Sequence, residues 1–181
     1  RRLFVSDTLN GRIVVYDITT IENGEDAVSF LGVFNGGDVT DPVTGDPDPS
    51  AVLTQNGVNA PSGLYYDAQN DYLFVSDTGN WRGLVFDVSS IIDGENAVYV
   101  LGNDDFTSKE VPVDESLPSN LMVAPWDVFY DEDRELLYFL DTVYISIYDF
   151  SDGLTNGENI LYRILPETDP FIGFGLPWGF G

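Results

Sequence analysis

Residues 73–87 read LFVSDTGNWRGLVFD, and residues 3–17 read LFVSDTLNGRIVVYD. A looser version, LYFLDTVYISIYD, occupies 137–149. Three versions of one string in 181 residues point to a repeat architecture, in which each unit buries its apolar face only by stacking on its neighbours. Around the central copy, PSGLYYD at 61–67 reads as a strand. Pro61 limits pairing at its start, and Gly63 permits close backbone approach. AQND at 68–71 is a polar turn, and YLFVS at 72–76 is a second strand rich in aromatic and β-branched residues. DTGN at 77–80 turns the chain into a third strand, RGLVFD at 82–87. A connection over 88–95 leads to a fourth strand, NAVYVLG at 96–102. The turns are too short for crossover helices, so the four strands form one antiparallel sheet.

The other copies keep the same spacing. Sixteen residues separate Pro61 from Asp77 and also Pro125 from Asp141. Asn23-Gly24-Glu25, Asp93-Gly94-Glu95 and Asn156-Gly157-Glu158 each precede a fourth strand. A slip of one residue would turn every side chain to the wrong face, so matched spacing is a strong signal. The expected units are 1–32, which lacks a first strand, 61–102 and 125–165, followed by the first strand of a further unit at 176–181. That last string, LPWGFG, parallels APSGLY at 60–65 and APWDVF at 124–129. The chain opens in mid-pattern, which leads us to expect a leader or more repeats upstream.

Sheets of this size, apolar on both faces and arranged radially, make a β-propeller. Pro61, Gly63, Asp67, Leu73, Phe74, Val75, Asp77, Thr78, Asn80 and Arg82 follow the order of an NHL repeat, as do Leu3, Phe4, Val5, Asp7, Thr8, Asn10 and Arg12. The chain therefore resembles the NHL-repeat family. The third copy keeps Pro125, Asp131, Leu137, Asp141 and Thr142 but has neither the Asn nor the Arg, and its turn is two residues shorter. The resemblance implies an all-β propeller of four-stranded NHL-type blades. Three blade equivalents would lie here, half of a six-bladed ring that another segment or copy completes. Strings such as GENAVYVLG look like those of bacterial secreted or surface members, which implies an extracellular or cell-surface location.

The composition narrows the function. Acidic residues number 31 against 7 basic ones, for a net charge of -24, so binding to phosphate backbones or anionic lipid is disfavoured. No apolar run approaches the ~20 residues of a membrane-spanning helix, so membrane insertion is not expected. The chain has no Cys and no His, which excludes disulfides, thiolate chemistry and histidine-bound zinc.

Each candidate site has a plain alternative. Asp7, Asp77 and Asp141 could form a carboxylate ring around a channel, but recurrence with the repeat favours turn chemistry. Arg12 and Arg82, with Asn10 and Asn80 beside them, are read as ties between blades that pair with a neighbouring Asp. The best metal candidates are Asp38, Asp41, Asp46 and Asp48 in the long loop, with calcium as the ion if any. A solvated acidic loop is the simpler account. Trp126 and Trp178 are expected in the core near the propeller axis, and Trp81, in a turn, is the better candidate for stacking a ligand. The acidic connections and the Asp-Thr turns are expected on one rim.

No catalytic residue emerges. The sequence reading is a non-catalytic scaffold for protein–protein contact or self-assembly, of which a filament or surface-layer subunit is one form, whose partners are other copies or adjoining repeats. The alternative implied by the resemblance is a calcium-dependent propeller hydrolase or lyase.

Overall fold

The computed structural model describes residues 1–34, 53–108, 120–142 and 144–164. Among these the chain is all-β, with two single 3-10 turns as its only helical pieces. Sheet one has three antiparallel strands, β1 (Arg2–Asp7), β2 (Arg12–Asp17) and β3 (Ser29–Leu31). A short parallel pair follows, β4 (Val33–Phe34) with β5 (Gly57–Val58). Sheet two has four antiparallel strands, β6 (Pro61–Asp67), β7 (Tyr72–Asp77), β8 (Arg82–Asp87) and β9 (Tyr99–Leu101). Sheet three repeats that order with β10 (Asp127–Asp131), β11 (Leu136–Leu140), β12 (Ile145–Asp149) and β13 (Tyr162–Ile164). The expected strand at 176–181, and Trp178 within it, lie outside the described residues.

The internal match is exact in register. Asp7 faces Arg12 across the first hairpin, and Asp77 faces Arg82 across the second. Both hairpins turn through a 3-10 step, Thr8–Asn10 and Thr78–Asn80, that ends in a left-handed residue. That residue is Gly11 in the first copy and Trp81 in the second, both at φ 58°. Glycine adopts this conformation freely, whereas an L-residue with a large side chain is strained in it.

Alternation along β7 sets the packing. Leu73 and Val75 point to one face and join Ile13, Val15 and Leu31 of sheet one in a first core, with Leu84, Phe86 and Val100. Phe74 points to the other face. With Val85 and Leu101 it meets Val128, Tyr130, Leu137, Phe139 and Tyr148 of sheet three in a second core. Aromatic rings lock this second core: Tyr130 lies 5.0 Å from Phe150, and Phe74 lies 5.5 Å from Tyr130. Fully burying one such side chain contributes roughly 1.5–3 kcal/mol. Sheet two is thus covered on both faces.

Three expectations change. The fourth strand of sheet two is confined to Tyr99–Leu101 instead of running over 96–102, because the Ala97 N–H donates to the Gln55 carbonyl and the Ala97 carbonyl accepts from Gln55 Nε2. Sheet three begins at Asp127 and not at its proline. Trp126 is not in the core: it is 56% exposed, and its indole N–H donates to Thr142 Oγ1 at the surface.

The backbones of sheets two and three approach closely at Gly63. Its N–H donates to the Trp126 carbonyl at 3.0 Å, and a Cβ placed there would lie 2.5 Å from the Asp127 Cα. Gly63→Ala must therefore push two backbones apart. We expect it to destabilise the chain by about 1–3 kcal/mol in urea unfolding, the usual cost of overpacking.

Candidate functional site

The repeated Asp, Asn and Arg come together at the end of each of the first two hairpins. In sheet two, Asp77 Oδ2 accepts from Asn80 Nδ2 and from Arg82 Nε, both at 2.8 Å. Asp77 Oδ1 accepts the Asn59 N–H at 2.7 Å, which ties in the segment leading to β6. The rest of the Arg82 guanidinium donates to three carbonyls: Phe106 at 2.8 Å, Thr54 at 3.0 Å and Gly57 at 2.7 Å. Arg82 and Asp77 are wholly buried. Arg82 therefore fastens its own hairpin to the connections before and after it. The described ends of both connections, Thr54 and Gly57 before it and Phe106 after it, meet at this turn. The ion pair itself lies within sheet two, and the three carbonyls belong to the connections on either side of it.

Sheet one has the same triad in the open. Asp7 accepts from Asn10 Nδ2 at 2.7 Å and from Arg12 Nε at 2.8 Å, with Arg12 half exposed. A shallow open depression of about 350 Å³ lies beside Arg12, lined by Asn10, Phe30 and Val33. The environment reverses the acidity of the two carboxyls. Hydrogen bonds from Arg12 and then Asn10 hold Asp7 below its ordinary value, whereas burial pushes Asp77 up against the opposing charge of Arg82.

Sheet three solves the same problem differently. Asp141 accepts the Tyr144 N–H at 2.7 Å, and Ser146 Oγ lies 3.4 Å from its other oxygen. The arginine comes from β13 instead: Arg163 donates to the Leu121 carbonyl at 3.0 Å. Leu121 stands four residues before Pro125, as Gly57 stands four before Pro61. The same carbonyl is capped in both sheets by an arginine from a different strand. Sequence reading missed Arg163 because it sits outside the motif, where the other copies have Phe30 and Val100.

A second missed set joins the sheets. Asp93 Oδ1 accepts from Ser29 Oγ at 2.6 Å and from the Phe30 N–H at 3.2 Å. The Gly94 N–H donates to the Phe30 carbonyl at 3.1 Å. One sheet later, Asn156 Oδ1 accepts the Val100 N–H at 3.0 Å, and the Gly157 N–H donates to the Val100 carbonyl at 3.2 Å. Phe30 and Val100 are equivalent positions, paired with Val14 and Leu84. In sheets two and three the recurring Asn/Asp-Gly pair is a hook onto the last strand of the sheet before it. Its recurrence in the sequence was the available signal. The following Glu is local turn chemistry, since Glu95 and Glu158 accept the N–H groups of Ile92 and Thr155.

Trp81 is half buried at the left-handed turn position. Asp38, Asp41, Asp46 and Asp48 lie outside the described residues. Among the described residues no three carboxylates gather closely enough to hold a metal ion, so Asp7, Asp77 and Asp141 do not form a shared cage. No helix there is long and apolar enough to cross a membrane. No protein-family model matches this chain, and no curated protein matches it.

The two arginines should separate sharply under mutation. Arg82→Ala leaves a buried carboxylate and three carbonyls without their donor, and breaking such a pair costs about 3–5 kcal/mol. Arg82→Lys restores little of this, because one ammonium cannot reproduce the fork. Arg12→Ala should unfold near the wild-type midpoint in the same urea titration.

Asp17, Asp87 and Asp149 end equivalent strands and are held below their ordinary value of 3.8 by hydrogen bonds from Thr19, Ser89 and Ser151, hydroxyl first and then backbone N–H. A lowered folded value gives stability that is complete above the unfolded value and lost as pH falls through the folded one. Thermal unfolding from pH 5 to pH 2 should show a falling midpoint, and replacing all three by Asn should flatten that fall. Asp77 acts with the opposite sign.

Proposed function

We propose that this chain is a run of NHL-type propeller blades that serves as a non-catalytic scaffold for protein contact outside the cell or on its surface. Another segment or copy completes the ring. The NHL-like strings support the propeller and its location. The observation that carries the scaffold reading is the contrast between the middle sheet and the outer two. Leu73 and Leu101 are wholly buried in sheet two. Their equivalents, Leu3 in sheet one and Ile164 in sheet three, are 47% and 49% exposed. Phe129, equivalent to the partly buried Tyr65, is 55% exposed. Apolar positions grouped on an outer face mark contact surfaces, unlike apolar side chains scattered singly. These are flat sheet faces and not clefts of the kind that close around a small substrate.

A dye that brightens on apolar surface provides the test, used at nanomolar dilution to keep chains apart. The wild-type chain should bind it. A Leu3→Ser, Phe129→Ser double variant should lose most of the signal while its far-UV circular dichroism stays unchanged. An equal signal from both proteins would overturn the scaffold reading.

A further inference from the structure

Asn or Asp followed by Gly occurs six times among the described residues. Such a pair can react with itself. The glycine nitrogen, once it has lost its proton, can attack the side-chain carbonyl carbon of the residue before it, and glycine has no Cβ in the way. An N–H held in a hydrogen bond must open before it can lose that proton. Five of the six are held: Gly11 donates to the Thr8 carbonyl at 3.3 Å, Gly57 to Thr54 at 3.2 Å, Gly94 to Phe30 at 3.1 Å, Gly153 to Phe150 at 2.9 Å and Gly157 to Val100 at 3.2 Å. The sixth, Gly24, has no acceptor for its N–H among the described residues.

The asparagine side chains divide in the same way. Asn10 Nδ2 donates to Asp7 at 2.7 Å, Asn56 Nδ2 donates to the Gly94 carbonyl at 3.0 Å, and Asn156 Oδ1 accepts the Val100 N–H at 3.0 Å. The Asn23 side chain has no such bond among the described residues. No described atom lies within 4 Å of where a Gly24 side chain would sit. Backbone conformation does not separate the pairs, since Gly24 has φ 79° and Gly157 has φ 71°. Exposure does not separate them either, since Asn23 and Asn156 are both exposed. Hydrogen bonding does.

We propose that Asn23 is a modification site, at which the chain deamidates itself ahead of its other described Asn-Gly pairs. The Gly24 N–H gives its proton to solvent. The nitrogen then bonds to Asn23 Cγ, the Cγ–Nδ2 bond breaks, and Nδ2 leaves with a solvent proton as ammonia. The product is a five-membered succinimide, and water is the co-reactant that opens it. Addition at Cγ breaks the new bond and leaves Asp. Addition at the main-chain carbonyl carbon breaks the old peptide bond and leaves isoaspartate. Either product adds a negative charge to a chain already at -24. In sheet two Asp93 stands at the equivalent position and holds Ser29 and Phe30, so Asp suits this turn. Isoaspartate routes the main chain through Cγ, which lengthens the backbone at the turn and resets its geometry. The chemistry needs no partner and stands apart from the scaffold reading.

Long incubation of the whole folded chain at mildly alkaline pH provides the test, followed by proteolysis and mass spectrometry whose fragment ions assign each converted residue. Asn35-Gly36, outside the described residues, is resolved from Asn23 in this way. Asn23 should convert about tenfold or more faster than Asn10, Asn56 and Asn156, because each of those must first open. In guanidinium chloride, where every pair is open, the four should convert at similar rates. Isoaspartate at position 23, detected with a methyltransferase specific for it, should appear beside Asp. Asn23→Gln should remove conversion at that site and leave the circular dichroism unchanged, because the larger ring that glutamine would form closes slowly. Equal rates in the folded chain overturn the proposal. So does a preference for Asn23 that persists after unfolding, or Asp formed with no isoaspartate.

Discussion

A β-sheet with apolar side chains on both faces has to be covered twice. Sheet two meets that demand through strict alternation: Leu73 and Val75 go to one neighbour and Phe74 to the other. The hairpins must hold their register, because a shift of one residue would exchange the two cores. The sheets must approach closely at Gly63, because a stack with gaps loses the dispersion contacts that hold it.

Stacking sheets this tightly traps backbone carbonyls in the connections between them. A carbonyl cut off from water needs a donor, and arginine offers five N–H groups in a fixed fork. Arg82 spends most of them on Thr54, Gly57 and Phe106 and one on Asp77. In a chain with so few cations, burying one fully is a strong statement about where they are needed. The ion pair with Asp77 neutralises the buried charge, and the carbonyls supply the reason for having the charge there. Strand-ending aspartates such as Asp87 and Asp149 lie at the surface, where they accept from the hydroxyl and N–H of the residue two positions on.

The fold was legible where sequence period and structural period coincide. Leu73, Phe74 and Val75 alternate as a strand buried on both faces should, and the sixteen-residue interval from Pro61 to Asp77 fixed the first hairpin of sheet two. Legibility failed where a residue's neighbours are distant in sequence. Trp126 follows Pro125 and reads as core from the sequence, yet its indole lies over Thr142 at the surface. The hooks were visible as a recurring Asn/Asp-Gly-Glu string, but nothing within one copy says that Asn156 reaches Val100, 56 residues earlier. Arg163 was invisible for a different reason. Its partner, Leu121, is a backbone carbonyl, and a carbonyl leaves no mark on composition or spacing.

That substitution of one arginine for another separates the signature of a repeat from its geometry. The third sheet lacks the Asn and Arg of the motif, yet its Leu121 carbonyl is served as Gly57 is. A census of units made by matching the Asp-Thr-x-Asn-x-Arg string would stop at two and overlook a sheet of the same build. The dependable marker is the oxygen that must be answered, and several places on the surrounding strands lie within an arginine's reach of it.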